Sequence, residues 1–270
     1  MDKYFLKSFE KSILMKKISA LLLCSFAVFL SFSQDNNFKD YKSFRSGEVL
    51  TYVVRYGFIT GGEAKLNLAL ERFEDKMVYH GIAEARTTGL AEKLFSVVDT
   101  FESYFDVTTM LPYKAIRNVK EGGYKKYNEV FFHREDTTVY SMESDSIHKV
   151  PPKIMDMVSL LYYIRSIDLT NLKKGDVIDI VTFFDDEIFP FDVRYKGKEV
   201  IKSKNGKIRC LRFDPVVEPG RIFNSEDDMT VWISDDENLI PILVRFDLKV
   251  GSIKIELIRY SGIKYRIDFD

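Results

Sequence analysis

From Ser46 onward, apolar and polar residues alternate with a period of two, and no other feature of the chain limits its fold so strongly. Leu50, Tyr52, Val54, Tyr56 and Phe58 fall on one face, with Thr51, Arg55 and Thr60 among those on the other. After Gly61-Gly62 the alternation resumes: Ala64, Leu66, Leu68 and Leu70 against Lys65, Asn67 and Glu71. Such a pattern belongs to strands with one face buried. Short turn signals punctuate it, among them "FEDK", "TMLP", Gly122-Gly123, "HRED" and Asn205-Gly206, the last a strong hairpin signal because both residues tolerate positive φ. Roughly a dozen such strands, joined this closely, predict an all-β, mainly antiparallel fold. Its edges would be hidden by curling into a barrel or half-barrel.

Two stretches break the alternation. "TTGLAEKLFSVVD" reads as one or two helical turns with Leu90, Leu94 and Phe95 on one side. After Pro151-Pro152, the residues Ile154, Met157, Val158, Leu161 and Ile164 recur at helical spacing, which predicts one amphipathic helix packed on or inside the sheet.

Before the sheet pattern, Met15-Lys16-Lys17 precedes the apolar run Ile18 to Leu30 and the small-residue tripeptide Ser31-Phe32-Ser33. This is the layout of a cleaved secretory signal, too short to span a bilayer. Cys24 lies inside the apolar run behind Leu23, which argues against lipidation, and the long n-region allows Met15 as the true start. The expected organisation is a signal over 1–33, a flexible segment over 34–45 and a single β-rich domain over 46–270. The leader's five lysines and two acids account for +3 of a formal net −1, so the mature chain carries −4. That balance lacks the basic footprint of a nucleic-acid binder. With one cysteine left, Cys210, an internal disulfide is excluded, and a lone thiol on a predicted strand reads as a buried apolar group.

Motifs for chemistry are sparse. The glycine pair is followed by a strand pattern, not by the helix that a phosphate loop requires, so it reads as a hairpin or bend. His80, His133 and His148 have no metal-motif spacing and read as exposed turn residues. No nucleophile elbow occurs, and the acidic trios Asp185-Asp186-Glu187, Glu226-Asp227-Asp228 and Asp235-Asp236-Glu237 sit at predicted turns or loops, where solvated acids are ordinary. No cofactor and no metal are implied. More unusual are charges within strands and the helix: Arg86, Asp99, Glu102, Arg117, Glu121 and Arg165. If they face a concave interior they must pair with one another or meet a polar ligand group.

Six stretches in order, "FRSGEVLTYVVRYGFITGGEAKLNL", "ARTTGLAEKLFSVVDTFESYFD", "LPYKAIRNVKEGGY", "DMVSLLYYIR", "GKIRCLRFDP" and "VWISDDENLIPILVRFDLKVGSIKIEL", resemble a family of exported bacterial proteins catalogued as domain of unknown function 3108. The resemblance covers about Phe44 to Leu257 and implies an envelope-located β-rich domain. It supplies no functional residues.

The expected function is therefore a non-enzymatic periplasmic or outer-envelope protein. It would bind a lipidic or amphipathic component, or a partner protein, on an aromatic-rich concave face. Tyr56, Phe58, Arg86, Asp99, Arg117, Glu121 and Arg165 are the candidate ligand-facing residues. Two alternatives stand beside it. One is an envelope glycan enzyme using carboxylates such as Asp99, Glu102 and Glu121, which must then face each other across a groove. The other is a structural interaction module.

Overall fold

The sheet is two antiparallel meanders joined at their first and last strands. The computed structural model describes residues 43–216 and 228–269; the signal expected over 1–33 and most of the acidic trio at Glu226 lie outside them. The first meander comprises β1 (Val49–Tyr56), β2 (Ile59–Phe73), β3 (Lys76–Thr87), α1 (Gly89–Leu94), β4 (Val97–Asp106), β5 (Pro112–Glu121), β6 (Tyr124–His133), β7 (Thr138–Ser141) and β8 (Ser146–Lys149). Then come α2 (Met157–Ile164), β9 (Val177–Ile178), the hairpin β10 (Val181–Phe184) and β11 (Glu187–Pro190), and the second meander: β12 (Val193–Ser203), β13 (Gly206–Pro215), β14 (Met229–Ser234), β15 (Pro241–Asp247) and β16 (Ser252–Ser261).

Hydrogen bonding orders one 14-stranded sheet β8-β7-β6-β5-β4-β3-β2-β1-β16-β15-β14-β13-β12-β9, while β10 and β11 pair only with each other in a second, two-stranded sheet. The large sheet curls but does not close, since β8 and β9 end the order unpaired with one another. The described residues belong to one compact unit, Lys39–Asp270. Its core starts earlier than the sequence suggests: Ser43 and Phe44, assigned above to the leading segment, are buried.

Local geometry refines several sequence readings. The first hairpin turns at Gly57-Phe58, where Gly57 has φ +56°, and not at the glycine pair. Gly61 and Gly62 lie inside β2, where the register slips as Val54 pairs with Gly62 and Arg55 with Thr60. They form a bulge that bends the strand. A Cβ on Gly62 would lie 2.5 Å from the Arg86 carbonyl oxygen, so β2 and β3 approach too closely there for any side chain. The alternation over 177–184, which reads as one strand, splits into β9 and β10, and that over 189–195, which reads as another, is divided between β11 and β12. Tyr195 and Glu199 instead share one long strand that bulges near Gly197, at φ +112°. β8 carries too little alternation to be foreseen.

Helix α2 sits inside the curl. Asp156 caps it: its carboxylate accepts from Val158 N at 2.7 Å and Ser159 N at 3.0 Å, and Ser159 Oγ accepts from Asp156 N. Burial surrounds more of the helix than one stripe. Leu160 and Tyr162, off the predicted face, are buried, whereas Met157, on it, is exposed. Phe44, Tyr162, Phe105 and Tyr79 close a cycle of ring contacts at 5.1 to 5.7 Å that fills the space between helix and sheet. The helix fits because β3 has no side chain beneath it. A Cβ on Gly81 would lie 2.8 Å from Val158 Cγ1 and 3.2 Å from the rings of Phe105 and Tyr162.

Just past the helix, Arg165 is buried and clamped by Glu48, at 2.6 Å (Nη1 to Oε1) and 2.8 Å (Nη2 to Oε2). Its remaining donors reach the carbonyls of Ser43 and Asn238. Removing one member of a buried pair strands the other charge. Arg165→Met alone is expected to lower unfolding free energy by about 3–5 kcal/mol, whereas Arg165→Met with Glu48→Leu recovers most of it; urea denaturation of both variants checks this. Cys210 is fully buried, and burial pushes its thiol up to about 12. It is expected to resist Ellman's reagent in the native protein and to react at once in denaturant.

Candidate functional site

With the interior filled, the recess that mixes apolar and charged groups lies at the helix N-terminus. Strands β4 to β6 form its floor, the start of α2 one wall and hairpin β10–β11 the other. The cleft is about 50 Å³ as it stands, with Phe101, Met157, Phe183 and Phe184 among its apolar surfaces and Arg117, Lys126, Asp185 and Glu102 among its charged ones.

Each charged group is placed by alternation. Arg117 pairs in register with Phe101 on β4 and Asn128 on β6. Phe101 shares its side of β4 with Ser103, whose hydroxyl donates to Asp156, so this face looks onto the helix. Arg117 lies 4.6 Å from the centre of the Phe184 ring and 6.0 Å from that of Phe101, and its Nη1 meets Asp185 at 2.6 Å. Its Nε is buried and makes no hydrogen bond. Lys126 also grips Asp185 and reaches Glu143 at 3.0 Å.

Asp185 reaches these cations because Asp185 and Asp186 both have positive φ, +56° and +63°, between paired Phe184 and Glu187. Aspartate tolerates this left-handed geometry better than most side chains. Burial alone would raise the Asp185 carboxyl, but the hydrogen bond from Lys126 and the charge of Arg117 outweigh it and hold the group below the usual range. The hydrogen bond to Asp185 likewise raises the Lys126 ammonium, against the effect of burial. The two strands of the hairpin are held unequally. In β10, Thr182 and Phe183 are buried, Phe183 packs with Phe132, Val139, Val150 and Ile154, and a parallel bridge joins Thr182 to Met155 before α2, whereas every residue of β11 is exposed.

The seven residues singled out above do not converge. Arg117 alone is in the cleft. Arg165 is locked to Glu48 in the core. Tyr56 and Phe58 lie at the β1–β2 turn and do not line the interior: Phe58 is wholly exposed, and the Tyr56 hydroxyl donates to Val250 O at 2.8 Å. Glu121 ends β5 opposite Val97 and Tyr124. Arg86 and Asp99 border a different recess, an open groove of about 520 Å³ whose charged lining includes Glu63, Lys65, Glu84 and Arg259. Asp99 accepts from the backbone N of Lys120.

Three residues apart on β4, Asp99 and Glu102 point to opposite faces, and Glu102 accepts from His80 Nε2 at 2.9 Å. His80 also meets Glu71 at 3.0 Å and stacks on Tyr104. It is a buried strand residue, not an exposed turn residue as its sequence position suggests. His148 too lies in a strand.

Sequence reasoning missed Lys126, Asp185, Phe183 and Phe184. The Asp185-Asp186 pair was a visible turn signal, but nothing local says that the turn folds back over Arg117.

Comparisons with known proteins match this architecture. The model of a family described as "Protein of unknown function (DUF3108)" matches residues 51–258. A solved β-barrel-like protein of domain of unknown function DUF1849 from Brucella abortus aligns with TM-score 0.53 at 8% identity, over 81% of this chain and 98% of that one. A Bacteroides fragilis protein with a YmcC-like fold, inferred to be exported, aligns at TM-score 0.35 and 7% identity, over 82% and 98%. At such identity the Brucella structure speaks for the fold alone. No curated protein matches the chain.

Asp156 offers a test of the cleft's inner wall. Burial raises its carboxyl above the ordinary 3.8, against hydrogen bonds from Ser103, Ser159 and Val158 that favour the anion. The folded state therefore holds this proton more tightly than the unfolded chain. Its stabilising contribution is full below the unfolded pKa and is lost as pH rises through the folded one. Asp156→Asn keeps a good cap and removes that dependence, so its stability relative to wild type should improve from pH 4 to 7. Asp156→Ala should cost about 1–2 kcal/mol through the lost cap. Urea unfolding across pH checks both.

Proposed function

The chain belongs to the DUF3108 family, and on that premise we propose that it is an exported, non-enzymatic protein of the periplasm or outer envelope that binds an amphipathic ligand in the cleft under hairpin β10–β11. The observation that carries this reading is the pair Arg117 and Lys126, set among Phe101, Met157 and Phe184 and latched by one carboxylate from the turn of hairpin β10–β11. Ligand sites combine apolar walls with a few polar groups that fix orientation. Here a polar or anionic head would replace Asp185 at the two cations, and the apolar part would lie on Met157 and the aromatic rings. The closed cleft is too small for a whole ligand, so entry requires the hairpin to lift. Because Thr182 and Phe183 are buried, that movement falls on the Asp185-Asp186 turn and the exposed strand β11.

Export is supported by the leader's basic, apolar and small-residue order. Among the described residues no helix is long and apolar enough to cross a membrane. The glycan-enzyme alternative is disfavoured by Asp99 and Glu102 facing opposite sides of the sheet.

Native mass spectrometry of protein extracted from its own envelope, with exchange of a fluorescent fatty acid, tests the reading. Wild type is expected to carry a bound amphiphile. Two such surface ion pairs are worth about 0.2–1 kcal/mol each, so Asp185→Asn should speed probe exchange by between about twofold and roughly thirtyfold. Met157→Trp, which fills the cleft, should abolish uptake. Bare protein that takes up no probe, or uptake unchanged by Met157→Trp, would overturn the reading.

A further inference from the structure

Four neighbouring hairpin ends form one edge of the curled sheet: β15–β16, β1–β2, β3–β4 with α1, and β5–β6, adjacent in the strand order. Each presents apolar side chains to solvent. Phe58 and Ile59 stand at the first turn, Leu90 and Leu94 on α1, Tyr124 and Val250 on the flanking turns. Leu94 is 87% exposed and Leu90 76%, and α1 buries none of its residues. A protein in water gains nothing from holding a helical turn with both leucines outward.

The ends are held in place. Gly57 N donates to Ser252 O at 3.0 Å, Thr88 N to Gly61 O at 3.0 Å and Gly122 N to Ser96 O at 2.7 Å. The Phe95 ring covers Gly122 and the Tyr56 ring covers Gly251, each so closely that a Cβ would lie within 2.9 Å of it. Apolar groups fixed this way have little ordering cost left to meet on docking.

Charge separates this edge from the opposite one. Lys93, Lys120, Lys125, Lys249 and Lys254 surround the apolar residues against Glu92, Glu121 and Asp247, and all five lysines are exposed. The far turns carry Glu74-Asp75, Glu135-Asp136 and Asp235-Asp236-Glu237. In a mature chain of net negative charge, this edge is locally basic.

We propose that this edge docks on an anionic lipid surface, with Phe58, Ile59, Leu90 and Leu94 entering the interface and the lysines meeting headgroups. The groups protrude from separate turns and do not line a groove. A deformable interface accommodates protruding side chains where a rigid protein surface would need a matching set of pockets. Basic residues around an apolar face are the complement of a negatively charged leaflet.

The inference shares only the envelope location with the cleft reading, and the assay separates them. Purified protein is sedimented with phosphatidylcholine vesicles with and without phosphatidylglycerol. Wild type is expected to bind the anionic vesicles, more weakly as salt rises. Phe58→Asp with Leu94→Asp, at side chains the core does not use, should lower the partition coefficient at least about tenfold; each burial lost is worth roughly that factor. Phe58→Trp should bind and shift its emission to the blue. Met157→Trp should bind as wild type does, whatever becomes of the cleft. Failure of wild type to bind anionic vesicles, or binding unchanged by the double aspartate variant, would overturn the proposal. So would a concentration-dependent dimer abolished by that variant, which would make the edge a contact between copies.

Discussion

The buried pair of Arg165 and Glu48 organises the molecule. Placing two charges out of water is costly, and hydrophobic residues of the same volume often serve stability as well. What the pair supplies here is position. Glu48 directly precedes β1, the strand that joins the two meanders, while Arg165 follows α2 and Asn238 belongs to the β14–β15 turn. One guanidinium thus fixes the helix end against both halves of the sheet. As a cation at a helix C-terminus it also complements the helix dipole. Asn238 extends the lock to the last residues by exchanging two hydrogen bonds with the backbone of Tyr265.

A helix seated in a curled sheet leaves little interior for a ligand. Gly81 lets α2 approach, and Phe44, Tyr79, Phe105 and Tyr162 occupy what remains. Aromatic abundance, which in sequence suggests a lined cavity, is largely used to fill one. Among the described residues, polar and apolar groups therefore meet openly at the margins: in the Arg117 cleft, where the hairpin covers the start of the helix, in the groove bordered by Arg86 and Asp99, and along the row of hairpin ends.

How much of this could be read from the sequence depends on the range of the interactions. Strands β1 to β7 were legible because alternation is local, and so was the β12–β13 hairpin, although its two-residue loop is Lys204-Asn205 and Gly206 already pairs with Ser203. The buried thiol of Cys210 was legible for the same reason. Arg165 was visible as an odd charge, but its partner lies 117 residues earlier and no local pattern names it. His80 was misread because its two carboxylate partners come from different strands. The strands over 177–195 were mis-segmented because the small hairpin packs on the helix and not in the large sheet, so its alternation breaks at its own turns. For the same reason the cleft was not legible: Asp185 is 68 residues from Arg117 and 59 from Lys126.

The two ends of the sheet follow from one another. Arg165, Glu48 and Asn238 lie where β1 begins and β14 turns into β15, so the last turn of the helix is sealed at that end. Its first turn, with Asp156 and Met157, is left at the cleft, and the cleft's floor strands run on to the apolar hairpin ends: Lys126 of the latch lies two residues from Tyr124. An amphipathic ligand leaving a lipid surface under that edge would meet the hairpin and its two cations first. On the two proposals taken together, a ligand would pass between lipid and cleft along strands β5 and β6 without the protein turning over.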